Sequence, residues 1–260
     1  MKIYYLGSCS GTEPMPGMHH CALVMEIGGV LYWFDAGECA VHTAHNMGLD
    51  VTNVKALFIS HPHIDHTGGL ANLFACMNKM CGRYKMRMKH DDTLHAYMPA
   101  EGYLSAACLL AGHKEGKKSS FAIIEHQISD GVIFDSDGVR VTALHNKHLK
   151  ETGENGYHSY SFLVEGEGKR VIFSGDLAEP CEIDALVEGG CDLLIMETGH
   201  HSVSAVCEYA RSRGVRNLRF NHHGREILEG REAAEKYVSD FGAEHGMEIR
   251  LCYDTMTDTL

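Results

Sequence analysis

The sequence predicts an α/β protein built as a four-layer αββα sandwich, in which two mainly antiparallel sheets pack face to face with helices outside. Two observations support this fold class. Strand-like segments occur in two blocks, and each block is followed by helical segments. No low-complexity linker separates the blocks, and 260 residues are enough for one large core. We therefore expect residues 1–260 to form a single domain.

The first block opens with a predicted meander of three strands, in which Gly28-Gly29 forms a hairpin turn. A helix is expected over 38–48 and another from about Thr67 to Lys79. An Ala- and Leu-rich helical stretch follows Pro99. The predicted strands are KIYYL (2–6), CALVMEI (21–27), VLYWFD (30–35), KALFIS (55–60) and LHAYM (94–98).

The second block repeats the alternation. Helices are predicted over 202–214, ending in Gly, and over about 225–242. Its predicted strands are FAIIEH (121–126), GVIFD (131–135), VRVTALH (139–145), HSYSFLVE (158–165), KRVIFSGD (169–176), CDLLIMET (191–198), RNLRFNH (216–222) and EIRLC (248–252).

Composition limits the function classes. The chain is 44% hydrophobic and 22% charged, and no run is apolar enough to span a bilayer, so we expect a cytoplasmic protein without membrane attachment. Its ten scattered cysteines predict free thiols and not disulfides. The net charge of −12 disfavours nucleic acid as a partner, because both are acidic, but it does not exclude a small anionic substrate. We therefore expect a small-molecule substrate.

The stretch 61-HPHIDH-66 concentrates metal-binding side chains where a strand ends and a helix begins. His61 and His63 are one residue apart, so in an extended turn both can face the same ion. Asp65 and His66 follow at the start of the helix and would face a second ion. One short loop can thus hold two cations about 3.5–4 Å apart, the spacing of two-metal hydrolases.

Other strands also end in candidate ligands. The strand at 169–176 ends at Asp176. The strand at 139–145 ends at His145, and His148 comes three residues later. The strand at 216–222 ends at the first histidine of the pair 222–223. Loops at strand ends can converge at one edge of a sandwich. Spacing alone does not choose between His145 and His148, or between the two histidines of the pair.

These residues resemble the metallo-β-lactamase-fold hydrolases, and within them the ribonuclease Z group. The segments 6-LGSCSGTEP-14, 34-FDAGE-38 and 59-ISHPHIDHTGGL-70 are similar to that group's signatures. The resemblance implies that His61 and His63 bind one ion and that Asp65 and His66 bind the other. It also implies that Asp176 bridges the two ions and that His148 and His222 are the remaining ligands. Asp35 is expected to support the ligands from the end of its strand.

The same resemblance implies a proton donor. The segment 196-METGHHSV-203 is similar to two motifs of the ribonuclease Z group that provide a glutamate–histidine pair near the leaving group. Glu197 holds the glutamate position and His201 the histidine position, with His200 as the alternative. A helix-cap role for this segment remains open.

One feature of the chain differs from the tRNA-processing members. Only 27 residues separate His148 from Asp176, and two strands claim most of them, so the long tRNA-binding arm is absent. We therefore expect a phosphodiesterase that acts on a small phosphodiester or nucleotide-like substrate through a metal-bridging hydroxide oriented by Asp65. The cofactors are expected to be two divalent ions, with Zn²⁺ favoured over Mn²⁺ or Fe²⁺. Dimers are common in the group, so a homodimer is compatible with the resemblance.

Three alternatives stay open. The same fold hydrolyses carbonyl substrates such as lactones, thioesters and β-lactams, and tRNA 3′-processing is the less favoured endoribonuclease reading. A catalytically silent metal-binding or RNA-associated module would predict a broken ligand set, whereas all seven ligand positions are filled.

Overall fold

The computed structural model describes residues 1–11, 15–112, 121–149 and 158–260. Within these ranges the chain forms two seven-stranded sheets. The first contains β1 (Lys2–Gly7), β2 (Ala22–Ile27), β3 (Val30–Phe34), β4 (Val54–Phe58), β5 (Thr93–Met98), β6 (Ala122–Gln127) and β14 (Thr257–Thr259). The second contains β7 (Gly131–Ser136), β8 (Val139–His145), β9 (Tyr160–Gly166), β10 (Lys169–Phe173), β11 (Leu193–Glu197), β12 (Asn217–Asn221) and β13 (Glu248–Leu251).

The helices connect strands of the same sheet. They are α1 (Ala40–Asn46), α2 (Ile64–Thr67), α3 (Leu70–Gly82), α4 (Tyr103–Leu110), α5 (Asp184–Val187), α6 (Val203–Ser212) and α7 (Arg225–His245). Short 3-10 turns cover Val51–Asn53 and Pro180–Ile183. No helix in the described ranges combines the length and apolar character needed to cross a membrane.

Strand order runs β14-β1-β2-β3-β4-β5-β6 in the first sheet and β13-β12-β11-β10-β9-β8-β7 in the second. The prediction of mainly antiparallel sheets needs correction, because each sheet is mixed. The pairs from β14 to β3 and from β7 to β10 are antiparallel, whereas those from β3 to β6 and from β10 to β13 are parallel. Helical crossovers join the parallel strands, and such a connection returns the chain in the same direction.

The four predicted layers are confirmed by three buried clusters. Phe34, Phe58 and Phe162 belong to the cluster between the sheets, where the Phe34 and Phe58 rings stack at 4.9 Å. Trp33 and Leu57 point to the other face and pack with the helices outside the first sheet. A third cluster lies between the second sheet and its helices. Because both faces of these strands are covered, they read as continuous apolar runs.

The fold brings the carboxyl ends of the parallel strands to one edge. There the two sheets are joined directly, since the Tyr160 N–H at the start of β9 donates to the Ser60 carbonyl just after β4 (3.0 Å). The ten cysteines, all within the described ranges, form no disulfide bond, as the sequence predicted. Every predicted ligand follows a strand that ends at this edge.

Candidate metal centre

The histidine-rich loop after β4 is held by Asp35, the residue that follows β3. One carboxylate oxygen of Asp35 accepts the Ser60 N–H (2.7 Å), and the other accepts the Ser60 hydroxyl (2.8 Å). The chain then turns into α2, which begins at Ile64. The helix expected from about Thr67 to Lys79 is α3, and it begins at Leu70. The single helical turn of α2 buries Asp65 and His66 and leaves Ile64 75% exposed. The loop thus directs Asp65 and His66 toward the interior of the protein at this edge.

A first group of ligand atoms comes from His61, His63, His148 and Asp176, all within 4.8 Å of one another. His63 Nδ1 lies 3.0 Å from His61 Nε2 and 3.2 Å from His148 Nε2. Asp176 Oδ2 is 3.6 Å from His61 Nε2. His145 is not part of this group, because its Nδ1 pairs with Asp130 Oδ2 at 2.6 Å. The structure therefore places His148, and not His145, beside the other candidate ligand atoms.

A second group comes from Asp65, His66, Asp176 and His222, and all four are buried. Asp65 Oδ2 lies 3.1 Å from His222 Nε2 and 3.3 Å from His66 Nε2. Asp176 Oδ1 lies 3.4 Å from His222 Nδ1 and 3.5 Å from His66 Nε2. His223 instead faces the Cys252 carbonyl. Asp176 turns one oxygen to each group, so the seven predicted ligand residues meet at one place.

Divalent cations fit these two groups. Three buried atoms of the second group, His66 Nε2, Asp176 Oδ1 and His222 Nδ1, have no hydrogen-bond partner. Buried polar atoms normally find partners, so three unpaired atoms that face one another form a set of donors that fits a cation. Imidazole nitrogens and carboxylate oxygens are donors that suit Zn²⁺, Mn²⁺ and Fe²⁺. His66 is also oriented for this role, because its Nδ1 lies 2.7 Å from Asp35 Oδ2 and Nε2 is left for a metal.

The pKa shifts in the second group also fit a bound cation. Burial alone would lower the pKa of His222, but Asp176 and the neighbouring carboxylates outweigh it and raise this pKa to about 9. Burial would raise the pKa of Asp176, but His222, His66 and His61 hold it well below its usual range. Protons on imidazoles thus compensate the buried carboxylates, and a bound cation would supply the same compensation while the imidazoles become neutral.

In the first group, His61 and His148 already favour the neutral form. Burial lowers the pKa of His61 well below its ordinary value, and it lowers the pKa of His148 to about 4. Neutral imidazole is the form that binds metals, so these side chains need lose no proton at pH 7.

Glu197 lies at the end of β11 beside both groups. Its Oε1 is 3.1 Å from His200 Nδ1, and its Oε2 accepts the His200 N–H (2.9 Å). His201 Nε2 also approaches Glu197 (3.4 Å) but lies 3.2 Å from the Leu177 carbonyl, and this side chain is only 10% exposed. Ser202 caps α6 by accepting the Ala205 N–H. The helix-cap role is therefore real, and it coexists with a glutamate–histidine pair.

A cavity of about 410 Å³ opens onto the centre. His200 lines it, whereas His201 is absent from its described lining. The cavity is also lined by Ser10, Gly11, Ile64 and Gly199. All four lie in the quoted motif segments, but sequence reasoning assigned no role to any of them. Glycine at 11 and 199 is required by close contacts, since a Cβ at Gly11 would lie 2.9 Å from Asp65 Oδ2 and one at Gly199 would lie 2.6 Å from His222 Nδ1.

Comparisons with known proteins agree with this site. A family model described as anti-Pycsar protein Apyc1 matches residues 1–205. The chain belongs to this family. It is also 23% identical to ribonuclease Z of Archaeoglobus fulgidus, over 97% of this chain and 98% of the relative.

Two solved structures have the same fold. The short form of human tRNase Z superposes with a TM-score of 0.72 at 18% identity, covering 100% of this chain and 99% of its own. The metallo-β-lactamase-fold protein YhfI of Bacillus subtilis superposes with a TM-score of 0.74 at 14% identity, covering 99% and 98%. The predicted superfamily, its ribonuclease Z-like branch and the class of metal-dependent hydrolase are confirmed.

Proposed function

We propose that the chain is a dinuclear metal phosphodiesterase that hydrolyses small phosphodiesters. The observation that carries the proposal is Asp176, whose two oxygens face two separate groups of ligand atoms. Two divalent cations bound there would ionise a water at neutral pH and offset charge on the phosphoryl oxygens. We propose Zn²⁺ as the physiological ion, with Mn²⁺ or Fe²⁺ as alternatives.

The chain's own residues then have distinct tasks. Asp65, whose Oδ2 faces His66 and His222, orients the attacking oxygen. Attack forms a new phosphorus–oxygen bond and breaks the bond to the leaving oxygen, which must take up a proton. A positioned acid typically contributes about 10²–10⁴-fold to such a step.

We assign the proton donor to His200, the alternative from the sequence, and not to His201. His200 lines the cavity, and Glu197 holds its Nδ1, which leaves Nε2 to carry the proton to the substrate. The hydrogen bond to Glu197, more than any other contact, raises the pKa of His200 above its ordinary value. This imidazole therefore stays protonated closer to neutral pH, as a donor needs.

The expected substrate is small. A cavity of about 410 Å³ is in the range of pockets for ligands of nucleotide or drug size. Ile64 adds a 75% exposed apolar side chain to a lining that otherwise consists of glycines and polar residues. It suits a substrate that has an apolar or aromatic group next to its phosphodiester. The net charge of −12 disfavours a long polyanion.

Ribonuclease Z activity is the second candidate, because full-length relatives have that name. Carbonyl hydrolysis is less well supported. A general acid such as the Glu197–His200 pair assists an alkoxide leaving group, and the thiolate leaving group of a thioester has less need of it.

The test is a substrate panel assayed with the metal content measured. It contains bis(4-nitrophenyl) phosphate, an alkyl aryl phosphodiester, a lactone, a thioester, a cephalosporin and a tRNA precursor with a 3′ trailer. We expect turnover of the phosphodiesters, lost in Asp176→Ala. Turnover of the carbonyl compounds alone, or of the tRNA precursor alone, would reject the proposal.

The donor assignment has its own control pair. His200→Ala should slow release of an alkoxide by about 10²-fold or more, while release of 4-nitrophenolate, a stable anion, changes little. His201→Ala is the matched variant and should affect both leaving groups equally. The reverse pattern would return the role to His201.

A further inference from the structure

The segment Ser8–Ser10 comes directly after β1. It lies between two other segments at the edge of the sandwich that carries the candidate ligands. On one side the Cys9 N–H donates to the His19 carbonyl (2.9 Å). On the other side the His223 N–H donates to the Ser8 carbonyl (2.7 Å), and the Ser10 N–H donates to the His223 carbonyl (3.1 Å). The segment is therefore a short bridge between the loop before β2 and the loop after β12.

The bridge contacts His223. The residue before it, the candidate ligand His222, has an unusual backbone conformation. His222 has φ 51°, a left-handed value that non-glycine residues rarely adopt. Such a conformation persists only where the surroundings hold it. The paired bonds between His223 and the bridge supply that restraint, so the place of the His222 ring depends on the place of the bridge.

Asp254 holds the bridge from the turn between β13 and β14. Its Oδ1 accepts the Ser8 N–H (3.0 Å) and the Ser8 hydroxyl (2.7 Å). Its Oδ2 accepts the His19 N–H (2.8 Å) and lies 2.8 Å from His19 Nδ1. The Asp254 side chain is only 7% exposed. Four donors converge on it, and only a carboxylate can accept on both oxygens.

We propose that Asp254 is a positioning residue that fixes His222 through the Ser8–Ser10 bridge and so sets the affinity of the second ligand group for its cation. The inference rests on the centre being a metal site, as in the proposed function, but it does not depend on the substrate. It adds a residue far along the chain, with no contact to either ligand group, to the machinery that shapes the centre.

The test is Asp254→Asn, which keeps the size but turns an NH₂ group toward two donors. Co²⁺ is titrated into the metal-free protein, and its absorption spectrum reports each site. We expect Co²⁺ to bind the first ligand group as in the wild type and the second ligand group about tenfold more weakly. Tenfold is the low end of the effect of losing a residue that supports a metal ligand. Failure of the substrate panel would not alter this readout.

Asp258→Asn is the matched control. Asp258 is also buried in the C-terminal segment, where it accepts from Tyr5 and Arg219, but it pairs with Ile3 at the opposite end of β1. This control should lower thermal stability and leave both Co²⁺ affinities unchanged. Equal weakening of the second Co²⁺ in both variants would overturn the proposal.

Ser8→Ala removes one of the four bonds and guards against a variant that fails to fold. It should weaken the second Co²⁺ by a smaller factor in the same direction. Wild-type affinities and spectrum in Ser8→Ala and in folded Asp254→Asn would refute the role of Asp254.

Discussion

Gly199→Ala is a one-carbon change that should remove the second cation. A Cβ at this position would lie 2.6 Å from His222 Nδ1 and 3.2 Å from the Ser10 Cβ. The backbone of Gly199 has little room to retreat, because it packs against Gly224, whose own added Cβ would lie 3.1 Å from the Gly199 Cα. The ring of His222 must therefore yield.

The size of the displacement follows from the contact. The ring must move by about 0.8 Å for the contact to relax from 2.6 Å to an ordinary separation of about 3.4 Å. Metal–ligand distances tolerate only about 0.2 Å, so the second ligand group loses His222. A misplacement of about 1 Å in a catalytic group can cost about 10²-fold in rate. We expect at least that loss in kcat/KM for a phosphodiester.

The assay combines metal content, thermal unfolding and phosphodiester hydrolysis. Gly230→Ala in α7 is the control, because its added Cβ meets nothing within 4 Å and its φ is −125°. It should retain both metals and full activity. Two bound metals and wild-type kcat/KM in Gly199→Ala would show that the contact is not a constraint on the centre.

Three further predictions concern the same site. Glu197→Gln removes the main cause of the raised pKa of His200, so the protonated donor is lost at lower pH and the alkaline limb of kcat/KM should shift down; an unmoved limb contradicts the pairing. Ile64→Ala should raise KM about tenfold for a bis-aryl phosphodiester but leave it unchanged for dimethyl phosphate, which has no aryl group. Equal effects on both substrates would exclude a contact between Ile64 and the aryl group. Chelation should lower Tm on the order of 10 °C, whereas Asp176→Ala should respond much less; identical melting with and without chelator would count against tight metal binding.

Local sequence patterns predicted most elements, but not all of them. The hydrophobic runs identified the strands at the metal edge, because buried parallel strands are apolar on both faces. They missed β14, a three-residue strand with the polar sequence TDT, and α5, a single turn after Pro180. Such short elements are stabilised by pairing and packing with distant segments, and that information is absent from a local window.

The predicted ligands show the same division. The spacing in 61-HPHIDH-66 indicated ligands, because so many desolvated polar groups need a cation, and the resemblance selected His148 and His222. The geometry then separated His148 from the half-buried, Asp130-paired His145. It also separated His200, which lines the cavity, from His201, which faces the Leu177 carbonyl.

The sequence by itself determined the layers of the fold, the loop of metal-binding side chains and the acidic charge of the chain, since each is written in local spacing or composition. Only the tertiary structure showed that His200 and not His201 lines the cavity, and that the two Asp176 oxygens face different groups. It also brought Ser10, Gly11, Gly199 and Asp254 to the site from segments far apart in the chain. These features depend on contacts between segments that lie far apart in the sequence, and a local window of residues does not contain those contacts.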